Sequence, residues 1–221
     1  MTYQAVIFDL GGVVLPSPFE TFATYERDHG LPERFIRGVV AESADHGAWA
    51  RLERGELTMT EFHDEFAAEC AAAGGAVDAA ELMGAIADGF GPRPAMVEAI
   101  RTIRACGLRT AALTNNWAPT SDDGGGGDTT AARSATGGID DLFDVVVQSA
   151  VEGLRKPDPR IYTLTCGRLG VGPDHVVFLD DLGVNLKPAR EMGMTTIKVV
   201  DPADALRQLA AVLGFELGSL A

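Results

Sequence analysis

The chain has 221 residues, enough for one or two domains with a true core. Its composition, 46% apolar and 23% charged, is that of an ordinary soluble globular protein. A formal charge of −14 weighs against nucleic acid and anionic membrane as partners, because their phosphates would be repelled.

The first element is an apolar run over residues 5–14 that meets a carboxylate at Asp9 and turns on Gly11-Gly12. Such a run reads as a strand buried on both faces, which suits a parallel sheet. Ligands of open α/β sheets lie at the carboxyl ends of the strands. Asp9 therefore reads as a nucleophile, as a metal ligand, or as an aspartate that only starts a turn.

Helical signals follow. Ser17-Pro18 has the form of a cap with proline at the first helical position. Thr58-Met59-Thr60-Glu61 has the form of a capping box ahead of Phe62, Phe66 and Cys70 at helical spacing. Asp78-Ala79-Ala80-Glu81 resembles a second start. Gly91-Pro92-Arg93-Pro94 is a break, after which Met96, Val97, Ile100 and Ile103 predict a helix near 94–106.

Strand and helix then alternate. Residues 108–114 predict a strand ending in Thr114, Asn115 and Asn116. Residues 117–138, rich in Gly, Ser, Asp and Thr, predict a mobile loop, either an inert insertion or a flap touching substrate. Residues 144–149 predict a strand, followed by Lys156 on a proline-stiffened loop and a helix over 158–169. Residues 176–180 predict a strand ending in the pair Asp180-Asp181. A helix over 184–192, a strand over 195–200 and a helix over 202–213 complete the pattern.

This alternation predicts an α/β fold with a mostly parallel, doubly wound, Rossmann-like sheet. The helical stretch between the first two strands is too long for a simple crossover. Residues 16–92 are expected to form an inserted helical cap domain, and residues 1–15 with 93–221 the core domain.

Strand ends thus supply a carboxylate, a hydroxyl and a paired acid, with a lysine between. Phosphoryl transfer through a covalent aspartyl intermediate requires such a set. Two abutting acids also call for a hard cation. The four histidines show no metal-ligand spacing. Cys70, Cys106 and Cys166 lie far apart, which predicts no disulfide framework and a reducing compartment. No stretch approaches the roughly 20 apolar residues of a membrane span, and no cleavable leader is evident. The expected location is cytoplasmic.

With these motifs in this order, the chain resembles the haloacid dehalogenase-like (HAD) superfamily over nearly its whole length. Asp9, Thr114, Lys156 and the pair Asp180-Asp181 match its four motifs. The segments Phe8-Asp9-Leu10-Gly11-Gly12-Val13, Arg54-Gly55-Glu56-Leu57-Thr58 and Phe178-Leu179-Asp180-Asp181-Leu182-Gly183 are similar to the branch containing the phosphatase domain of soluble epoxide hydrolase. They are also similar to the HAD-like domain of acyl-CoA dehydrogenase fusion proteins.

The resemblance implies a Mg2+-dependent phosphatase acting on a small phosphorylated metabolite. Asp9 would attack phosphorus. Thr114, the backbone near Asn115, and Lys156 would hold the phosphoryl group. The implied metal ligands are Asp9, the Gly11 carbonyl and Asp181, with Asp180 near. Asn185 could orient Asp181, or simply start a helix. The departure is Gly11, where such phosphatases usually carry an acid–base aspartate. Glu42, Asp45 and His46 are conceivable substitutes. Two other readings stay open: a dehalogenase-type hydrolase attacking carbon, and a non-catalytic module that binds a phosphoryl ligand or a protein.

Overall fold

The computed structural model describes residues 2–89, 91–117 and 139–218. The expected mobile loop, apart from Trp117, lies outside the described residues. Five strands form one parallel sheet: β1 (Ala5–Phe8), β2 (Arg109–Thr114), β3 (Val145–Gln148), β4 (Val176–Asp180) and β5 (Thr195–Lys198), in the order β3-β2-β1-β4-β5. β1 is central, with Phe8 opposite Ala112 on one side and Leu179 on the other. Every residue of β1 and β4 is buried, so these strands read as continuous apolar runs instead of alternating ones.

Among the described residues, five helices follow β1 ahead of the break at 91–93: α1 (Pro18–Asp28), α2 (Phe35–Ser43), α3 (Ala48–Glu53), α4 (Met59–Ala72) and α5 (Ala79–Asp88). Then come α6 (Pro94–Ala105), the one-turn α7 (Ser149–Glu152), α8 (Pro159–Leu169), α9 (Gly183–Glu191) and α10 (Pro202–Leu213). Among the described residues, no helix is long and apolar enough to cross a membrane.

Alternate strand residues feed opposite faces of the sheet. Val6, Phe8 and Leu179 pack with Ile100 of α6 and Leu206 of α10. Ile7, Leu113 and Phe178 pack with Tyr162 of α8 and Leu186 of α9. Helices α1–α5 bury a third cluster of their own, built on Phe22, Trp49, Phe62, Phe66 and Leu82. Trp49 meets Phe22 edge-on at 5.2 Å between centroids, a favourable aromatic geometry.

The predicted helix starts are made by local hydrogen bonds. Ser17 accepts from the Phe19 N–H at 3.4 Å. Thr58 and Glu61 cap reciprocally, and Asp78 accepts from Ala80 and Glu81. Helices α2 and α3 have no side-chain cap, which is why no start signal marks them. The expected strand over 144–149 stops at Gln148. Ser149 turns into α7 because its Oγ accepts from the Asn116 N–H at 2.9 Å and donates to the Asn116 carbonyl at 3.1 Å.

Candidate active site

Asp9 directly follows β1 and stays in register, its N–H donating to the Leu179 carbonyl at 2.9 Å. Its Oδ1 accepts from the Leu10 N–H at 2.7 Å. Lys156 reaches it from the loop after β3, Nζ to Oδ1 at 2.8 Å, and contacts Asp180 Oδ2 at 2.7 Å. The lysine side chain is fully buried. Asn115 clamps this loop to the end of β2: its Nδ2 donates to the Lys156 carbonyl at 3.0 Å, and its Oδ1 accepts from the Lys156 N–H at 2.8 Å.

Asp180 ends β4, and protein donors surround it. Besides Lys156 it accepts from the Leu182 N–H at 2.8 Å and from Asn185 Nδ2 at 3.0 and 3.1 Å. The expectation that Asn185 orients Asp181 is therefore corrected to Asp180. Adjacent residues at a strand end point to opposite sides, and the buried first turn of α9 lies on the side of Asp180. Tyr162 fixes that turn by donating to the Asn185 carbonyl at 2.7 Å.

Asp181 is the acid left over. Its carboxylate receives no side-chain hydrogen bond or ion pair among the described residues; its own backbone N–H is its hydrogen-bond donor. One carboxylate oxygen from each of Asp9, Asp180 and Asp181 lies within 4.8 Å of the others. Burial, and then the charge of Asp180, push the Asp181 carboxyl up to about 6, while Lys156 and Arg37 act against the rise. Burial also raises Asp9 well above the usual carboxylate range, against the pull of Lys156. For Lys156, burial favours the neutral form, but Asp180 and Asp9 outweigh it and raise its pKa. One lysine thus faces three carboxylates in a dehydrated place, an imbalance that a hard divalent cation would correct.

Glycine at position 12 makes the approach of Asp181 possible. Gly12 has φ +79°, and a Cβ there would sit 2.5 Å from Asp181 Oδ2. Gly11 is different. Its φ lies outside the left-handed region, and a Cβ would meet only Pro18, at 3.4 Å.

These groups open into a cavity of about 490 Å3. Asp9, Gly11, Asn115, Lys156, Asp181 and Asn185 line its end at the sheet; Phe19, Phe22, Arg37, Val40 and Trp49 line the side formed by α1–α3. Thr114 is buried at the end of β2 beside this cavity but does not line it, and its Oγ1 lies 3.4 Å from the Asn115 carbonyl. Of the three conceivable acids, only Asp45 lines the cavity. It is ion-paired to Arg155 Nη1 at 2.9 Å.

Sequence reasoning missed Arg37, Trp49, Glu53 and Arg155, all lining residues. Arg155 Nε donates to Glu53 Oε2 at 2.8 Å, and Trp49 Nε1 donates to Glu53 Oε1 at 3.0 Å. The only available signal was the position of Arg155, next to Lys156.

The model of the haloacid dehalogenase-like hydrolase family matches residues 3–193. The mouse acyl-CoA dehydrogenase family member 10 is 40% identical over 219 residues, covering 98% of this chain and 20% of the relative. The pig bifunctional epoxide hydrolase 2 is 33% identical over 226 residues, covering 98% of this chain and 40% of the relative. The chain therefore spans less than half the length of either protein. A HAD-family enzyme of Bacteroides thetaiotaomicron, solved with magnesium and inorganic phosphate, shares the fold at a TM-score of 0.58 and 19% identity, over 89% of this chain and 93% of that one. The match to the family model over most of the length, together with the four motifs gathered at one end of the sheet, shows that the chain belongs to the haloacid dehalogenase-like hydrolases.

Proposed function

We propose that this hydrolase is a metal-dependent phosphatase of a small phosphorylated metabolite, with residues 16–92 acting as a cap domain over the core formed by 1–15 and 93–221. The observation that carries the reading is the pairing of Asp9 with Lys156 at 2.8 Å at the end of a cavity, beside an acid, Asp181, that makes no ion pair among the described residues. Asp9 attacks phosphorus in line, the ester oxygen departs, and an aspartyl phosphate remains. Water then attacks that phosphorus, releasing inorganic phosphate and restoring Asp9.

Lys156 holds the nucleophile and neutralises charge on the phosphoryl oxygens. Backbone amides near Asn115 donate to those oxygens, and Thr114 joins them by turning its hydroxyl away from the Asn115 carbonyl and toward the cavity. The donor set of Asp9, the Gly11 carbonyl and Asp181 fits Mg2+, all of it hard oxygen. When bound, Mg2+ shields the Asp9 carboxylate from the phosphate and polarises the phosphoryl group. Asp180, already committed to Lys156 and Asn185, acts on the site by fixing Lys156.

One observation favours a second reading. Gly11 offers no acid to protonate a leaving oxygen, and attack on a carbon–halogen bond would need none. Against it stands Asp181, whose half-buried carboxylate, with no side-chain partner among the described residues, is accounted for by a bound metal. Hydrolysis of 4-nitrophenyl phosphate with Mg2+ and with excess chelator separates these readings. Metal-dependent turnover that disappears in Asp9→Asn is expected. More than a few per cent of wild-type turnover in that variant would sink the covalent route. Halide release from 2-chloropropionate in chelator, with no ester hydrolysis, would establish the second reading. Loss of both activities would leave a binding module.

A further inference from the structure

The cations of the cavity are not equivalent. Lys156 is consumed by Asp9 and Asp180. Arg155 is consumed by Asp45 and Glu53. Arg37, on α2, has no acidic partner and no hydrogen bond among the described residues. Of the three basic side chains that line the cavity, it is the one with no carboxylate partner among the described residues.

Arg37 is nevertheless held in place. Its Cζ lies 4.3 Å from the centroid of the Phe19 ring, another lining side chain. A cation–π contact fixes a guanidinium through its face and leaves its five N–H donors free around the edge. The result is an oriented, uncommitted fork. Arg37 makes no ion pair with Asp9 or Asp181 among the described residues; its charge reaches the Asp181 carboxyl only through space, as the smallest of the influences on it, and its side chain belongs to the α1–α3 side of the cavity. On that same side, Phe22, Val40 and Trp49 offer an apolar wall.

We propose that Arg37 is a specificity-determining residue that binds a second oxyanion, a carboxylate or a further phosphoryl group, at the far end of the substrate's apolar body. This rests on the phosphatase reading for the near end, where the transferred group meets Asp9 and Lys156. A guanidinium edge matches either oxyanion by paired N–H donation. The substrate class is then a phosphate ester whose leaving group has an apolar middle and an anionic tail.

The chain's two tryptophans, Trp49 and Trp117, both line the cavity, so intrinsic fluorescence reports its occupancy. In Mg2+, benzylphosphonate, 4-(phosphonomethyl)benzoate and p-xylylenediphosphonate are titrated against the full chain. The wild type should bind at least one of the two anion-tailed ligands more tightly than benzylphosphonate, by about 10- to 100-fold, the usual worth of charge-assisted hydrogen bonds. The stronger of the two identifies the tail as carboxylate or phosphoryl. Arg37→Gln should bring the ratio to about one, and Arg37→Lys should restore part of it.

Equal wild-type affinities overturn the proposal, as does a preference that survives in Arg37→Gln. So does a uniform loss of affinity for all three ligands in that variant, because Arg37 would then bind the near phosphoryl group. Turnover of phenyl phosphate and 4-carboxyphenyl phosphate keeps the two claims apart. A binding preference that depends on Arg37, with neither ester hydrolysed, would remove the phosphatase reading and leave the anion site standing. Hydrolysis of both esters without any preference would do the reverse.

Discussion

Arg155 and Glu53 meet at 2.8 Å, Nε to Oε2, and this contact ties the loop that carries Lys156 to helix α3. The residues are 102 positions apart in sequence. Glu53 is fully engaged, since its other oxygen accepts from Trp49 Nε1. Both side chains are mostly shielded, 20% and 10% exposed, so the pair is stronger than a surface salt bridge. Close by, Gly55 has φ +68°, and a Cβ there would sit 2.4 Å from the Ala150 carbonyl oxygen of α7. The α1–α5 unit therefore touches the sheet domain beside the motif that holds the nucleophile.

Arg155→Met should cost about 1–3 kcal/mol of stability, because it strands a buried carboxylate. It should also raise KM more than it lowers kcat, since α3 carries the cavity wall and not the reacting groups. Denaturant titration and steady-state kinetics measure both. A double-mutant cycle with Glu53→Gln isolates the pair. Strict additivity would show that the contact carries no coupling.

Lys156→Met probes the centre of the site. It leaves Asp180, with a fully buried side chain, facing only the Leu182 and Asn185 donors. Removing one partner of a buried ion pair typically costs about 3–5 kcal/mol. Adding Asp180→Asn should recover part of that stability without recovering turnover, because Asp9 still lacks its cation. Loss of turnover with unchanged stability would mean that Lys156 contributes nothing to the fold.

These contacts show which parts of the protein can be read from sequence. The capping box of Thr58 and Glu61 is legible because the partners are three residues apart. The strand ends at Asp9, Thr114 and Asp180 are legible because buried parallel strands are apolar runs with abrupt polar ends. The partner of Asn185 was misread because it depends on where β4 stops, which decides whether Asp180 or Asp181 points at α9. The doublet Gly11-Gly12 announces a turn but not which residue takes positive φ. The cavity side of Arg37, Glu53 and Arg155 gives little local signal: apart from Trp49 to Glu53 within α3, its contacts join separate helices or distant loops.

Asp181 and Gly12 should fail together. Asp181→Ala removes the one acid of the Asp9, Asp180 and Asp181 group that has no side-chain partner among the described residues, and should raise the Mg2+ concentration for half-maximal activity by at least about tenfold, or abolish activity. Gly12→Ala should do the same, because its Cβ would collide with Asp181 Oδ2 at 2.5 Å and its backbone is left-handed. Mg2+ titrations of activity, with calorimetric Mg2+ binding as an independent readout, test both variants. Full activity of either in excess chelator would exclude the proposed metal role.

The last prediction concerns Gly11. With no carboxyl there, and with Asp45 held by Arg155, no free acid among the described residues lines the cavity near Asp9 except Asp181, which is reserved for the metal. Turnover should then depend steeply on the leaving group. Aryl or acyl phosphates, whose departing oxygen is a weak base, should be cleaved faster than simple alkyl esters by up to about 10²–10⁴-fold, the usual worth of a general acid. The backbone permits a direct test. Gly11 is not left-handed, and a Cβ would make only ordinary contact with Pro18 at 3.4 Å, so neither the backbone nor the Cβ of Gly11→Asp strains the turn. That variant should narrow the aryl-to-alkyl ratio by speeding the alkyl esters. The measurement is kcat/KM over a series of esters spanning several units of leaving-group pKa. A flat dependence in the wild type, with chemistry rate-limiting, would mean that another group already delivers the proton. Asp45, once released from Arg155, is the first residue to replace.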